Sequence, residues 1–217
     1  MREKKSIQYI RKYEAKEGDK KAGKSVRTKA AIKKAALQCF SESGYSATSI
    51  QDIADACKIT KPTLYYYFDG KPQLFDTLVR EALDASLQIT KEKLSQDKPM
   101  REMLIDLYEA MVFHTQNNRA LARLIQYAFF AANKEIPNRK ETYEYSRTLF
   151  GIVEEFFMNQ IKDGEFQTKF DPQQLTFVII GTINSTINSM LPDKNVIYSH
   201  EDAVNFVDIF LKGAKAN

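Results

Sequence analysis

Turn-forming residues and cysteine are both scarce in this sequence. With 8 Gly and 6 Pro in 217 residues, the chain has too few breaks for an all-β fold with frequent tight turns, and it reads as all-α. Cys39 and Cys57 are the only cysteines. Two thiols make neither a disulfide framework nor a cysteine-rich zinc site; both lie in amphipathic stretches, as small apolar residues suited to a reducing cytoplasm. The first residues are too charged for a secretory signal and lack its apolar stretch. Apolar runs such as that around 177–180 are far short of the roughly 20 residues that a membrane span needs. The two histidines, His114 and His200, are far apart and lack ligand-like neighbours, so no metal or cofactor is expected. A Ser/His/Asp set, a phosphate-cradling glycine loop and a carboxylate pair at metal-ligand spacing are all missing, which argues against an enzyme.

What is present is apolar bulk and an uneven charge. Apolar residues make up 43%, including 14 Phe and 11 Tyr, enough for a sizeable core. Residues 1–80 hold 17 Lys+Arg against 9 Asp+Glu, whereas 81–217 hold 15 against 19. A basic first third on an acidic remainder calls for an anionic partner for the first part alone. Charge by itself does not distinguish nucleic acid from a membrane surface.

Hydrophobic periodicity lays out about nine helices after a basic N-terminal extension, 1–24, in which Ile7, Ile10 and Tyr13 have amphipathic spacing. Ile32, Ala35, Ala36, Cys39 and Phe40 share a face of the first, which Gly44 is placed to end. Thr48 and Ser49 offer a cap to a short second helix with Ile50, Ile53, Ala54 and Cys57. Thr60 caps a third, 61–68, with Pro62 in its first turn. Asp69-Gly70 breaks it, and Lys71-Pro72 opens a fourth reaching about residue 93. Further helices carry Met100 to Val112, Leu121 to Ala132 and Leu149 to Ile161. Asp171-Pro172 starts a helix to about Leu191 that is apolar nearly all round, and a final one runs from Ser199 to Lys212.

Three short helices in a basic segment are what a helix-turn-helix needs, two to brace and one to enter the major groove. In the third, Leu64 and Phe68 lie four apart and face a core, leaving Lys61, Thr63, Tyr65 and Tyr66 to point elsewhere. Phenol hydroxyls reach phosphates, and ring faces or threonine methyls meet thymine methyls. Tyr67, flanked by Leu64 and Phe68, fits packing better than base reading.

The stretch from Arg27 to about Leu83 resembles the DNA-binding domain of the TetR (tetracycline-repressor-like) family. The resemblance is carried by Ile32-x-x-Ala35-Ala36-x-x-x-Phe40-x-x-x-Gly44-Tyr45, Thr48-Ser49-Ile50-x-x-Ile53-Ala54, the run from Ile59 to Phe68, and Lys71-x-x-Leu74. It implies a cytoplasmic, sequence-specific transcriptional regulator, most simply a homodimeric repressor released from a palindromic double-stranded operator by a small, largely apolar ligand. It also implies a helix-turn-helix domain, 25–70, and a helical ligand-binding and dimerisation domain, 71–217. Residue by residue, Thr48 and Ser49 match phosphate contacts, and Thr60, Lys61, Thr63, Tyr65 and Tyr66 match groove-facing or backbone-contacting positions. Lys71 matches a phosphate-anchoring lysine. Two departures are Lys58, where a turn glycine is usual, and Pro62, which lacks the N–H of a frequent glycine. The classes weighed against this reading are a helical small-molecule-binding enzyme and a membrane-surface protein; neither accounts for the ordered motifs at 48–71.

Beyond the resemblance, Tyr108, His114, Gln126, Tyr127, Phe129, Asn184 and Asn188 are polar or aromatic groups in apolar helices, a set suited to a ligand pocket as well as to ordinary core. Asn184 and Asn188 either line that pocket or pair across a dimer interface. Leu175, Val178, Gly181, Phe206, Val207 and Phe210 supply apolar surface for a two-fold four-helix interface.

Overall fold

Each helix boundary in the basic third has a local cause. The computed structural model describes residues 23–130 and 139–214. The N-terminal extension, apart from Gly23 and Lys24, lies outside them, as do Ala132 and Ile136-Pro137. Helix α1 (Lys24–Ala47) is interrupted at Gly44, whose φ of 81° leaves the helical region, and a last turn follows it. Helix α2 (Ile50–Cys57) opens on a reciprocal cap, in which Ser49 Oγ accepts the Asp52 N–H and the Asp52 carboxylate accepts the Ser49 N–H. Those hydrogen bonds hold the Asp52 carboxyl below its ordinary range.

Lys58 ends α2 in the left-handed conformation, φ 57° and ψ 44°. The turn therefore keeps the geometry a glycine would give it, at a cost of roughly 1 kcal/mol for carrying a side chain there. Helix α3 (Lys61–Tyr67) starts at Thr60, whose Oγ1 accepts the Thr63 N–H at 3.3 Å, with Pro62 in the first turn. Leu64 and Phe68 are buried and seat the helix. Helix α4 (Lys71–Leu94) follows.

The remaining described helices are α5 (Met100–Asn117), α6 (Arg119–Phe130), α7 (Arg139–Lys162), α8 (Pro172–Met190) and α9 (His200–Ala214). All nine described elements are helices, an all-α fold. The chain divides into two compact units, residues 1–75 and 76–217, so α4 contributes to both.

In the first unit α1 packs on α2 and α2 on α3. Phe40, Tyr45 and Phe75 form an aromatic knot with centroids 4.8–5.7 Å apart. In the second unit α8 packs on α7, α5 and α9, and α9 returns to lie along α5. Its core joins Leu104, Leu107, Tyr108, Phe157, Ile179, Ile183 and Val207. Two exposed polar rungs, Arg101 with Asp208 (2.6 and 2.9 Å) and Glu109 with His200 (3.2 Å), join α9 to α5, which run antiparallel.

Candidate functional site

The outer face of α3 is the first candidate. With Leu64 and Phe68 committed to the interior, Tyr65 is 52% and Tyr66 81% exposed, so both rings stand free on the outer face. Tyr66 stands edge-on to Tyr67 at 5.0 Å, which limits its rotation. Lys61 and Thr60 are exposed at the helix start. Thr63 is half-buried, and its Oγ1 shares a 2.9 Å hydrogen bond with Thr60 Oγ1. That bond ties down one hydroxyl proton of the pair, so Thr63 offers its methyl group more readily than a free donor. Ser49 is exposed at the α2 N-terminus, where backbone N–H groups and the helix dipole favour anions.

Two residues implied as phosphate contacts hydrogen-bond to backbone carbonyls of the chain itself. Thr48 is buried, and its Oγ1 lies within hydrogen-bond distance of the Cys39 and Gly44 carbonyl oxygens at 3.2 and 2.8 Å. It closes the end of α1, and its hydroxyl does not face outward. Lys71 Nζ donates to the carbonyls of Tyr45, Ser46 and Thr48 at 2.9, 3.4 and 2.9 Å, and lies 4.3 Å from the Tyr45 ring centroid. Its three N–H donors are spent on backbone. Cys39 and Cys57 are half-buried, and burial raises both thiols above their ordinary range, which disfavours the thiolate.

The residues expected at a pocket in the second unit take the following places. Tyr108 is buried, its hydroxyl 2.6 Å from Thr186 Oγ1 and its ring stacked on Phe206 at 5.5 Å. Gln126 donates to Asn188 Oδ1 at 3.1 Å, so Asn188 pairs within its own chain, while Asn184 is exposed on α8. Tyr127 and Phe129 are half-buried, and Phe129 lies 6.3 Å from the Tyr145 ring. Burial of His114 disfavours its charged form and lowers its pKa. Because the unfolded chain takes up that proton at the ordinary 6.5, stability present above that pH is lost as pH falls through it. A thermal-melt series from pH 8 to 5 is expected to show this fall, and His114→Gln to flatten it; an unchanged slope in the variant assigns the fall to other groups.

A groove of about 410 Å³ lies between α8 and α9, lined by Phe177, Val178, Gly181, Thr182, Tyr198 and Phe206 among others. Phe177 and Val178 on its wall are 57% and 54% exposed. Leu175, Val207 and Phe210, expected at an interface, are instead buried in the chain's own core. They point inward because α8 and α9 each spend one face on α5 and α7. Val178, Gly181 and Phe206 remain on the open side.

Sequence reading missed two features. Arg119 donates to the carbonyls of Met190, Asp193, Lys194 and Val196, and Arg123 to that of Leu191 at 2.9 Å. With Gln126 they form an i, i+4, i+7 polar stripe along α6, a spacing visible in sequence although its partners were not. Tyr145 hydrogen-bonds Ser86, and burial pushes its hydroxyl up to about 12; nothing in its local sequence marks it. Among the described residues no helix is long and apolar enough to cross a membrane, and no three His, Cys, Asp or Glu side chains cluster to hold a metal.

Residues 32–78 match the family model for bacterial regulatory proteins, tetR family. The uncharacterized HTH-type transcriptional regulator YuxN of Bacillus subtilis is 36% identical over 83 residues, 36% of this chain and 28% of that protein. The fatty acid metabolism regulator protein of B. subtilis is 22% identical over 155 residues, 71% of this chain and 79% of that one. The crystal structure of the transcriptional regulator FadR from B. subtilis in complex with stearoyl-CoA has a TM-score of 0.72 at 18% identity, over 85% of this chain and 98% of that one. That similarity reaches through the second unit, where sequence motifs are weak.

Proposed function

Because the chain belongs to the TetR family of transcriptional regulators, we propose that it is a homodimeric repressor, held on a palindromic operator by α3 and released by a small, largely apolar effector. The observation that carries the reading is the outward face of α3, with Tyr65 and Tyr66 exposed on a helix that Leu64 and Phe68 lock in place. A buried backbone frame presenting phenols and a threonine methyl from a basic unit suits a duplex, where cations supply affinity and groove contacts supply selectivity. Thr60, Lys61, Thr63, Tyr65 and Tyr66 are its readers and backbone contacts, with Ser49 at the α2 N-terminus.

For the effector, the similar structure that holds stearoyl-CoA supports a long-chain acyl-CoA thioester or a ligand of like apolarity. Such a ligand acts only through unequal affinity for the DNA-bound and released arrangements. The helix that contributes to both compact units, α4, is the natural carrier of that difference.

The test is to select duplexes from a random-sequence pool with the wild-type protein and titrate the winners with and without stearoyl-CoA. Enrichment of a palindrome, and its release by stearoyl-CoA but not by coenzyme A alone, is the expected result. Failure to enrich any sequence overturns the DNA-reading proposal, and enrichment without release overturns the effector class.

A further inference from the structure

We infer that Lys58, in the turn between α2 and α3, is a DNA-backbone contact in its own right, its ammonium meeting a phosphate beside the groove that α3 enters; this rests on the DNA-reading proposal above. Among the described residues Lys58 is the one non-glycine residue with positive φ, at 57°. Backbone hydrogen bonds alone fix the turn. The Lys58 N–H donates to the Asp55 carbonyl and the Ile59 N–H to the Ala54 carbonyl, both at 3.0 Å. A glycine or an asparagine closes the same turn with less strain.

The isolated chain makes no use of the side chain that causes this strain. Lys58 is exposed, and its ammonium has no hydrogen bond or ion pair among the described residues. The acids before it on α2 are engaged elsewhere. Asp52 closes the helix cap with Ser49, and the Asp55 carboxylate accepts from Gln51 Nε2 at 2.7 Å. Non-glycine residues held at positive φ gather at binding sites, where the partner offsets the strain.

The place of the turn supplies that partner. A recognition helix sends its first residues to base edges, and Lys58 precedes Lys61, the first residue of α3, by three positions. The major groove is about 12 Å wide, so a cation on the turn that enters it is within a side chain's reach of a flanking phosphate. Pro62, in the first turn of α3, has no N–H to offer an anion. Lys58 adds a charged donor just ahead of it. The alternative role is a cation for the carbonyl end of α2, which would act on stability and not on DNA.

A phosphate contact carries no sequence information and is salt-dependent. For Lys58→Gly in the full-length protein, affinity is expected to fall about tenfold on the selected duplex and on a scrambled one alike. The salt slope should drop by roughly one per subunit. The melting temperature should hold or rise, because the turn keeps its backbone bonds and loses its strain, so weaker binding is not a folding defect. Lys58→Asn, also at home at positive φ, should repeat the loss, and Lys58→Arg should keep both affinity and slope. Unchanged affinity and slope in the glycine and asparagine variants overturn the inference, and a lower melting temperature beside them leaves Lys58 a helix-end cation only. A loss confined to the selected duplex also overturns it, since that is the signature of base reading. Wild-type protein that selects no duplex fails the DNA-reading proposal and this inference with it, whereas wild-type selection with unchanged variants fails this inference alone.

Discussion

A Val178→Glu, Gly181→Glu double variant is expected to run as a monomer by light scattering and to bind the selected operator about 10²–10³-fold more weakly. Val178 is 54% exposed and Gly181 has open space where a side chain would begin, so both glutamates fit the isolated chain. The open face they spoil carries Phe177 and Phe206 beside a groove that the chain does not fill. In the proposed dimer two charges there would meet their images across the two-fold axis, a like-charge juxtaposition that an apolar interface does not tolerate. Losing the second half-site removes the effective-concentration gain of bivalent binding, which spans about 10²–10⁴ in affinity. A double variant that stays dimeric with unchanged operator affinity would remove α8 and α9 from the interface.

Phe157→Ala is expected to cost about 3–5 kcal/mol of unfolding free energy, the range for truncating a fully buried aromatic. The ring is sealed in the second unit's core, edge-on to Phe156 at 5.4 Å and tilted on Phe210 at 5.8 Å. The neighbouring Met158 is 49% exposed, and Met158→Ala should change stability by less than about 1 kcal/mol. Denaturant melts of the two variants check both values. Equal costs would mean that α7 does not bury the face described here.

The two variants also show where sequence was informative. Helix faces follow from apolar spacing, so Ile53 and Ala54 of α2 and Leu64 and Phe68 of the α3 segment were legible as interior residues, and all four are buried. The caps at Ser49, Thr60 and Asp171 were legible for the same local reason, since their bonds close within four residues. Lys71 was not: its partners lie 23 to 26 residues away, and a motif position carries no information on which way an ammonium turns. Leu175 and Val178 differ by only three positions on α8, yet one is core and the other open. Apolarity predicts that such residues seek cover, and only the packed neighbours decide whether the cover comes from the same chain. Asn188 took its place for a similar reason, because its partner Gln126 sits on another helix.

The return of α9 onto α5 has a consequence for how the chain is made. Arg101 and Asp208 are 107 residues apart, and Glu109 and His200 are 91 apart, so the second unit depends on long-range closure although it is built from helices alone. During synthesis α5 emerges well before the helix that covers it. The apolar faces of α5 and α8 stay open on the ribosome until residues 200–214 have left the exit tunnel. The first unit carries no such debt, since its packing closes within residues 23–75. The nascent DNA-binding unit is thus able to fold while the second unit is still exposed to chaperones and to premature association.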